Sequence, residues 1–135
     1  QAQAALVGRS FPRGVHHGDL RSKHVQVERD GRVLGLLDWG SGEKAGLPYF
    51  DLVHLIAHER KQARGVTTAE AWRAVRERER DAHEQSALDD YARRLGLDDE
   101  FRRAVEHMYP VLVAAMAESH WDYSRPRWVQ RQFGV

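Results

Sequence analysis

The stretch His16-His17-Gly18-Asp19-Leu20-Arg21-Ser22-Lys23-His24 sets a carboxylate and, five positions on, an imidazole in one short segment, and a second carboxylate, Asp38, follows fourteen residues later beside Trp39. Phosphoryl transfer asks little covalent chemistry of a protein. It needs a carboxylate near the acceptor hydroxyl, cationic charge on the moving phosphate, and metal ligands at the nucleotide phosphates. Asp19 and residue 24 have the spacing to supply two of these parts, with Asp38 close behind. A second chemistry competes for the same residue types. Among the eight histidines, His16, His17, His24, His54 and His58 are candidate transition-metal ligands, and His54 and His58 lie four apart on one helix face, a spacing that suits two imidazoles on one ion. The order H-x-x-x-H-E is not that of the zinc proteases, however, and no third ligand is fixed by spacing. His54 and His58 read equally as polar members of a packed helix.

The elements that must position these residues follow from the pattern along the chain. Val25–Arg29 and Val33–Leu37 alternate around Asp30-Gly31, a turn pair favoured between antiparallel strands, which predicts one tight hairpin with Asp38 at its exit. GSGEKAG at 40–46 reads as a glycine-rich loop that lets the backbone turn, without the spacing of a phosphate loop. Leu36 and Leu37 are positioned to meet an adenine, but as strand residues they read as core.

From Asp51 the chain reads as helical. Leu52, Leu55 and Ile56 mark a helix ending at Arg64 before Gly65, and Thr67 with Glu70 forms a capping box for a polar helix carrying Trp72 and Val75. Ser86 is the predicted cap of a third helix, with Leu88, Tyr91, Ala92 and Leu95 on one face and its end at Gly96. Asp98 caps a fourth, with Phe101, Val105, Met108, Leu112 and Met116 in register and a kink expected at Pro110. The tail SRPRWVQRQF predicts a short helix that packs through Trp128.

Composition removes several alternatives. The 135 residues suit one domain with a real core, and 21 Lys+Arg against 20 Asp+Glu leave a formal charge of +1, with no global pull toward nucleic acid or an anionic membrane. The absence of cysteine excludes disulfides, zinc–cysteine sites and thiol nucleophiles. No apolar run approaches the roughly 20 residues of a membrane span, and the opening QAQAALVGRS lacks the features of a signal peptide, so a cytoplasmic setting is the default expectation.

Three elements in order, His17-Gly18-Asp19-Leu20, then Leu37-Asp38-Trp39 after the hairpin, then Gly46-Leu47-Pro48-Tyr49-Phe50-Asp51-Leu52, resemble the C-terminal lobe of the aminoglycoside phosphotransferase and choline kinase-like family, over residues 14–58. The fold this implies is α+β and mostly α: a protein-kinase-like C-terminal lobe with one β-hairpin followed by a helical bundle, spanning residues 1–135. The resemblance makes Asp19 the catalytic base and Asp38 a magnesium ligand at the nucleotide phosphates. His17 and Asp51 become supports of the loop, Asp51 by hydrogen-bonding from its helix start to the loop backbone. Arg21 stands where protein kinases place a lysine near the transferred phosphate, so it is a candidate to neutralise charge there.

Two departures accompany the resemblance. His24 replaces the asparagine of the family motif. Magnesium prefers hard oxygen ligands whereas imidazole suits manganese, zinc or iron better, so His24 with Asp38 predicts weaker magnesium binding, a shift toward manganese, or lost catalysis. Only 15 residues precede His16 and the chain does not open with methionine, so the N-terminal nucleotide-binding lobe is expected to be absent from this chain. The missing lobe, or self-association through the apolar surface it would cover, is then the expected macromolecular partner. The function this predicts is ATP- or GTP-dependent phosphorylation of a hydroxyl on a small molecule, an aminoglycoside-like sugar or an amino alcohol. Two alternatives are a catalytically degenerate kinase-like binding module and, less favoured, a histidine-rich metal hydrolase. Glu77, Glu79, Asp89, Asp90, Asp98, Asp99 and Glu100 are available to attract a cationic acceptor, but the interleaved Arg and Lys make them read as a solvated ion-pair surface.

Overall fold

A computed structural model describes residues 6–118, so the helix predicted around Trp128 lies outside the described residues. The order of elements is β1 (Gly14–His16), β2 (Val25–Val27), β3 (Val33–Leu36), β4 (Glu43–Gly46), α1 (Phe50–Arg64), α2 (Thr68–Arg76), α3 (Ala82–Leu95) and α4 (Asp99–Glu118). The chain is α+β and mostly helical, with two small antiparallel sheets instead of the single hairpin that the sequence predicts.

The expected hairpin is β2–β3, with Val25 opposite Leu36 and Val27 opposite Val33 and a register irregularity after Gln26. Its turn closes with the Gly31 amide donating to the Glu28 carbonyl, and Gly31 takes a positive φ of 87° that a side chain would resist. The second sheet corrects the reading of 40–46 as loop. Its later half is β4, which pairs with β1 so that Gly14 faces Gly46 and His16 faces Glu43 across a bulge. Glycine is required at position 46, because a Cβ there would fall 2.0 Å from the Cβ of His16. The hairpin is also wetter than predicted. Leu37 is 46% exposed, so it is not a core residue, and Leu36 is only half-buried.

The helical caps explain where the helices begin and end. α1 stops at Gly65, which adopts the left-handed conformation, and α2 opens with the Thr67–Glu70 capping box. α3 starts earlier than predicted, because its cap is Asp81: Asp81 and Glu84 form the capping box, and Ser86 sits exposed inside the helix. Asp98 accepts from the Phe101 amide at 2.8 Å at the start of α4. The core is built from Phe50, Val53 and Ile56 of α1, Val75 of α2, Leu88 of α3, and Phe101, Val105 and Tyr109 of α4, together with Tyr49 before α1. Leu52, Leu112 and Met116 pack against it from its margin, whereas Tyr91 lies on the surface against Tyr49.

Two polar devices lock α4 to α2 and to the α2–α3 connection. Pro110 lies inside α4 and has no N–H, which leaves the Glu106 carbonyl without its helical donor. The Trp72 indole donates to that carbonyl at 3.2 Å. The Glu106 carboxylate is buried and meets Arg80, whose side chain is also buried, the guanidinium of Arg78 at 3.1 Å, and the Tyr49 hydroxyl, which donates to it at 3.0 Å. Burial and the Glu106 charge push the Tyr49 hydroxyl pKa up, so it stays a donor. Removing one partner of such a cluster leaves an uncompensated buried charge. Glu106→Ala should therefore lower stability by about 3–5 kcal/mol in chemical denaturation. Asp90→Ala, which breaks an exposed pair with Arg93, should leave the midpoint essentially unchanged.

Candidate active-site cleft

The loop from His16 to Asp19 is held by the first turn of α1. The carboxylate of Asp51 accepts from both the His17 amide (Oδ2, 2.6 Å) and the Gly18 amide (Oδ1, 2.9 Å). Gly18 has φ of 82°, and a Cβ there would sit 2.6 Å from the Ser41 carbonyl, so the turn needs glycine on two counts. The Asp19 amide donates to Nδ1 of His17, which fixes the tautomer, and Nε2 of His17 donates to the Leu37 carbonyl at 2.7 Å. His17 is thus a buried pin between the loop and the exit of β3.

Asp19 projects from this turn into a cleft of about 490 Å³ bounded by the loop, the segment Asp38–Ser41, α1, α2 and α4. Its Oδ1 is contacted by Nε and Nη2 of Arg21 at 2.7 and 2.6 Å and by Nε2 of His54 at 3.2 Å. Burial by itself would raise the pKa of this carboxyl. The hydrogen bond from His54 and the charge of Arg21 outweigh burial and hold it at about 2. Asp19 is therefore an anion at neutral pH and can only accept, so His54 donates through Nε2. The other ring nitrogen, Nδ1, accepts from Tyr109, whose hydroxyl lies 2.9 Å away. Burial raises the Tyr109 pKa far above neutrality and keeps that proton in place. The result is a directed chain, Tyr109 to His54 to Asp19, across α4, α1 and the loop. Among the described residues Oδ2 of Asp19 takes none of these contacts and is the oxygen available to a hydroxyl.

His24 and Asp38 meet at the same end of the cleft. The Asp19 carbonyl can only accept, so Nδ1 of His24 donates to it at 2.8 Å, and Nε2 is turned toward Oδ2 of Asp38 at 3.4 Å. Asp38 reaches this position in the left-handed conformation (φ 62°, ψ 59°), which costs a non-glycine residue on the order of 1 kcal/mol. Two lone pairs this close call for a proton or a cation between them. Ligands about 2.1 Å from an octahedral ion stand about 3 Å apart, so the pair fits one divalent cation. A dedicated zinc site at His54 and His58 does not fit. Both nitrogens of His54 are already engaged, and no three His, Asp or Glu side chains among the described residues group as metal ligands.

All six residues singled out by sequence come to this one region: Asp19, Arg21 and Asp38 line the cleft, His24 faces Asp38, and His17 and Asp51 brace the loop. His54 and Tyr109 were not assigned to it. A signal for His54 exists, since Asp51, His54 and His58 follow the three- and four-residue spacing of one helix face and Asp51 already touches the loop. Tyr109 reads only as one more apolar position of α4. Residues 1–97 match the phosphotransferase enzyme family (APH), and the chain belongs to that family. No curated protein and no solved structure matches it.

The depressed Asp19 pKa makes a prediction. His54→Leu removes a donor and leaves burial in place, so the Asp19 pKa should rise from about 2 toward or beyond its ordinary 3.8, read by carboxyl carbon NMR titration. The ionised Asp19 stabilises the fold fully above about pH 3.8, and that contribution fades as pH falls through about 2. In the variant that acid-dependent contribution should shrink, vanishing if the folded pKa reaches 3.8 and changing sign if it passes it. An unchanged titration would mean that Arg21 alone holds the carboxylate.

Proposed function

We propose that this chain carries the catalytic loop of an ATP- or GTP-dependent phosphotransferase acting on a hydroxyl of a small molecule, on a kinase-like C-terminal lobe. The observation that carries this reading is one carboxylate held ionised at the cleft, Asp19, with a second carboxylate, Asp38, lining the same cleft and the buried His24 turned toward it at 3.4 Å. Membership of a phosphotransferase family supports it.

In this reading Oδ2 of Asp19 accepts a hydrogen bond from the acceptor hydroxyl and aims its oxygen at the γ-phosphorus. The oxygen–phosphorus bond forms as the bond from that phosphorus to the β,γ-bridging oxygen breaks, and the nucleoside diphosphate leaves with the electron pair. The hydroxyl proton passes to Asp19. With a pKa of about 2, Asp19 is too weak a base to take the proton early, so its main work is orientation, and the proton moves late, as the hydroxyl becomes acidic. Arg21 sits on Asp19 Oδ1 and is within the same cleft, where its charge can also meet the moving phosphoryl group. His24 and Asp38 would hold the divalent ion. When bound, magnesium or manganese supplies charge neutralisation at the nucleotide phosphates. The nitrogen donor of His24 tilts the pair toward manganese.

Asp19→Asn tests the reading. In protein that includes the nucleotide-binding lobe, it should lower transfer of the γ-phosphate to a hydroxyl acceptor by about 10²–10⁴, while circular dichroism keeps its wild-type form and melting falls only by what the Arg21 and His54 contacts to Asp19 contribute. Retention of more than about a tenth of the rate in a folded variant would remove Asp19 from the role.

A further inference from the structure

On the phosphotransferase reading of this cleft, we infer that His54 and Tyr109 are positioning residues for the transfer step: they hold Asp19 toward the acceptor when Arg21 leaves it for the moving phosphoryl group.

Two donors grip the same oxygen of Asp19, and they differ in how far they can move. Arg21 reaches Oδ1 from the loop itself, with Nε at 2.7 Å and Nη2 at 2.6 Å, and its side chain is 27% exposed. Among the described residues its guanidinium has no other hydrogen-bond or ion-pair partner, so Asp19 alone keeps it in place. His54 reaches Oδ1 at 3.2 Å from α1, and its side chain is 7% exposed. Its ring stacks on Phe50 with centroids 5.7 Å apart, and its Nδ1 is bonded to the Tyr109 hydroxyl at 2.9 Å. Tyr109 is buried in turn, three residues along α4 from Glu106, whose carbonyl the Trp72 indole holds. The imidazole therefore cannot turn without breaking a buried hydrogen bond. Asp51 lies three residues before His54 on α1, so one stretch of helix fixes both the loop backbone and the carboxylate that the loop carries.

Phosphoryl transfer loads the two grips unequally. An anionic phosphate entering beside Asp19 competes with it for the guanidinium that both can reach, since Arg21 lines the cleft. Once Arg21 turns to the phosphate, Oδ1 keeps the His54 proton alone. That bond then sets the plane of the carboxylate and leaves Oδ2 facing the acceptor hydroxyl. A carboxylate free to rotate leaves the line of attack, and a misplacement of about 1 Å can cost about 10²-fold in rate. Tyr109 completes the arrangement from α4, because its hydroxyl on Nδ1 fixes the rotation of the ring and keeps Nε2 the protonated nitrogen. His54 moves no proton in this scheme. Its Nε2 already carries a hydrogen and its Nδ1 is occupied, so the proton released as the acceptor O–H bond breaks passes to Oδ2 of Asp19 and no further into the protein.

Nitrogen NMR and kinetics test the two halves of the inference. In the full chain, at a pH that leaves the ring neutral, the His54 signals should show hydrogen on Nε2 and a hydrogen-bonded Nδ1 that moves downfield in Tyr109→Phe. Hydrogen on Nδ1 in the wild type, or an Nδ1 signal unmoved in Tyr109→Phe, would overturn the inference. The kinetics use protein that includes the nucleotide-binding lobe, with γ-phosphate transfer from ATP and manganese to ethanolamine, glucosamine or water, whichever the wild type uses fastest. There kcat should fall about tenfold in Tyr109→Phe and about 10²-fold in His54→Leu, with KM for ATP and acceptor changed less than about threefold. His54→Gln keeps a donor near the place of Nε2 and should recover about tenfold of the His54→Leu loss. An unchanged kcat in folded Tyr109→Phe, a loss carried by KM alone, or no recovery in His54→Gln overturns the inference and leaves the phosphotransferase reading standing. No transfer by the wild type to any of the three acceptors overturns that reading and the inference together.

Discussion

A single carboxylate sets the geometry of the cleft. Asp51, in the first turn of α1, accepts from two successive loop amides, and everything that reaches the cleft from the loop depends on that clamp. Hydrogen bonds to a charged acceptor contribute about 1.5–3 kcal/mol each, more than a neutral pair, and two on one rigid helix fix orientation as well as position. Gly18 can then take its positive φ against Ser41, Asp19 emerges toward the cleft, and its carbonyl is presented to His24. The buried ring of His17 carries the same constraint to the exit of the hairpin, so Asp38 is tied to the loop that bears Asp19.

α1 serves as the shared axis of core and cleft. Its Val53 and Ile56 are buried in the common core, while Asp51, His54, His58 and Lys61 run along the side that meets the loop and the cleft. α4 answers it from across the cleft. That helix is fixed by the Trp72 indole at the carbonyl freed by Pro110 and by the buried Glu106–Arg80 pair, so Tyr109 arrives where His54 needs a donor. Core packing and site geometry are therefore coupled: moving α4 shifts Tyr109, and through His54 it moves the donor that meets Asp19.

The parts of this arrangement that were legible in the sequence are those governed by local rules. Gly65, the Thr67–Glu70 box, Gly96 and Asp98 act within a few residues of the helix ends they define, and the Asp30-Gly31 turn acts within its hairpin. The motif order gathered Asp19, His24, Asp38 and Asp51 because chain connectivity around one hairpin leaves them little room to separate. Pairings distant in sequence were not legible. β1 and β4 are short, bulged strands with no sustained alternation, so only their mutual contact reveals them. The true start of α3 was hidden because Asp81 and Glu84 lie in a run of charged residues, where a cap resembles any other acid. Leu37 reads as core by residue type but lies exposed beside Asp38. His54 and Tyr109 gain their meaning only from a contact between helices whose partners are 55 positions apart.

The clamp itself is open to direct measurement. Asparagine at position 51 keeps the shape but offers one acceptor oxygen to two amides. Backbone hydrogen exchange followed by NMR in Asp51→Asn should show the His17 and Gly18 amides losing tenfold or more of their protection, with the Asp19 and His24 amides following, while amides in the middle of α3 keep theirs. Wild-type protection throughout residues 16–24 in that variant would contradict the account, because the loop would then hold its shape without Asp51.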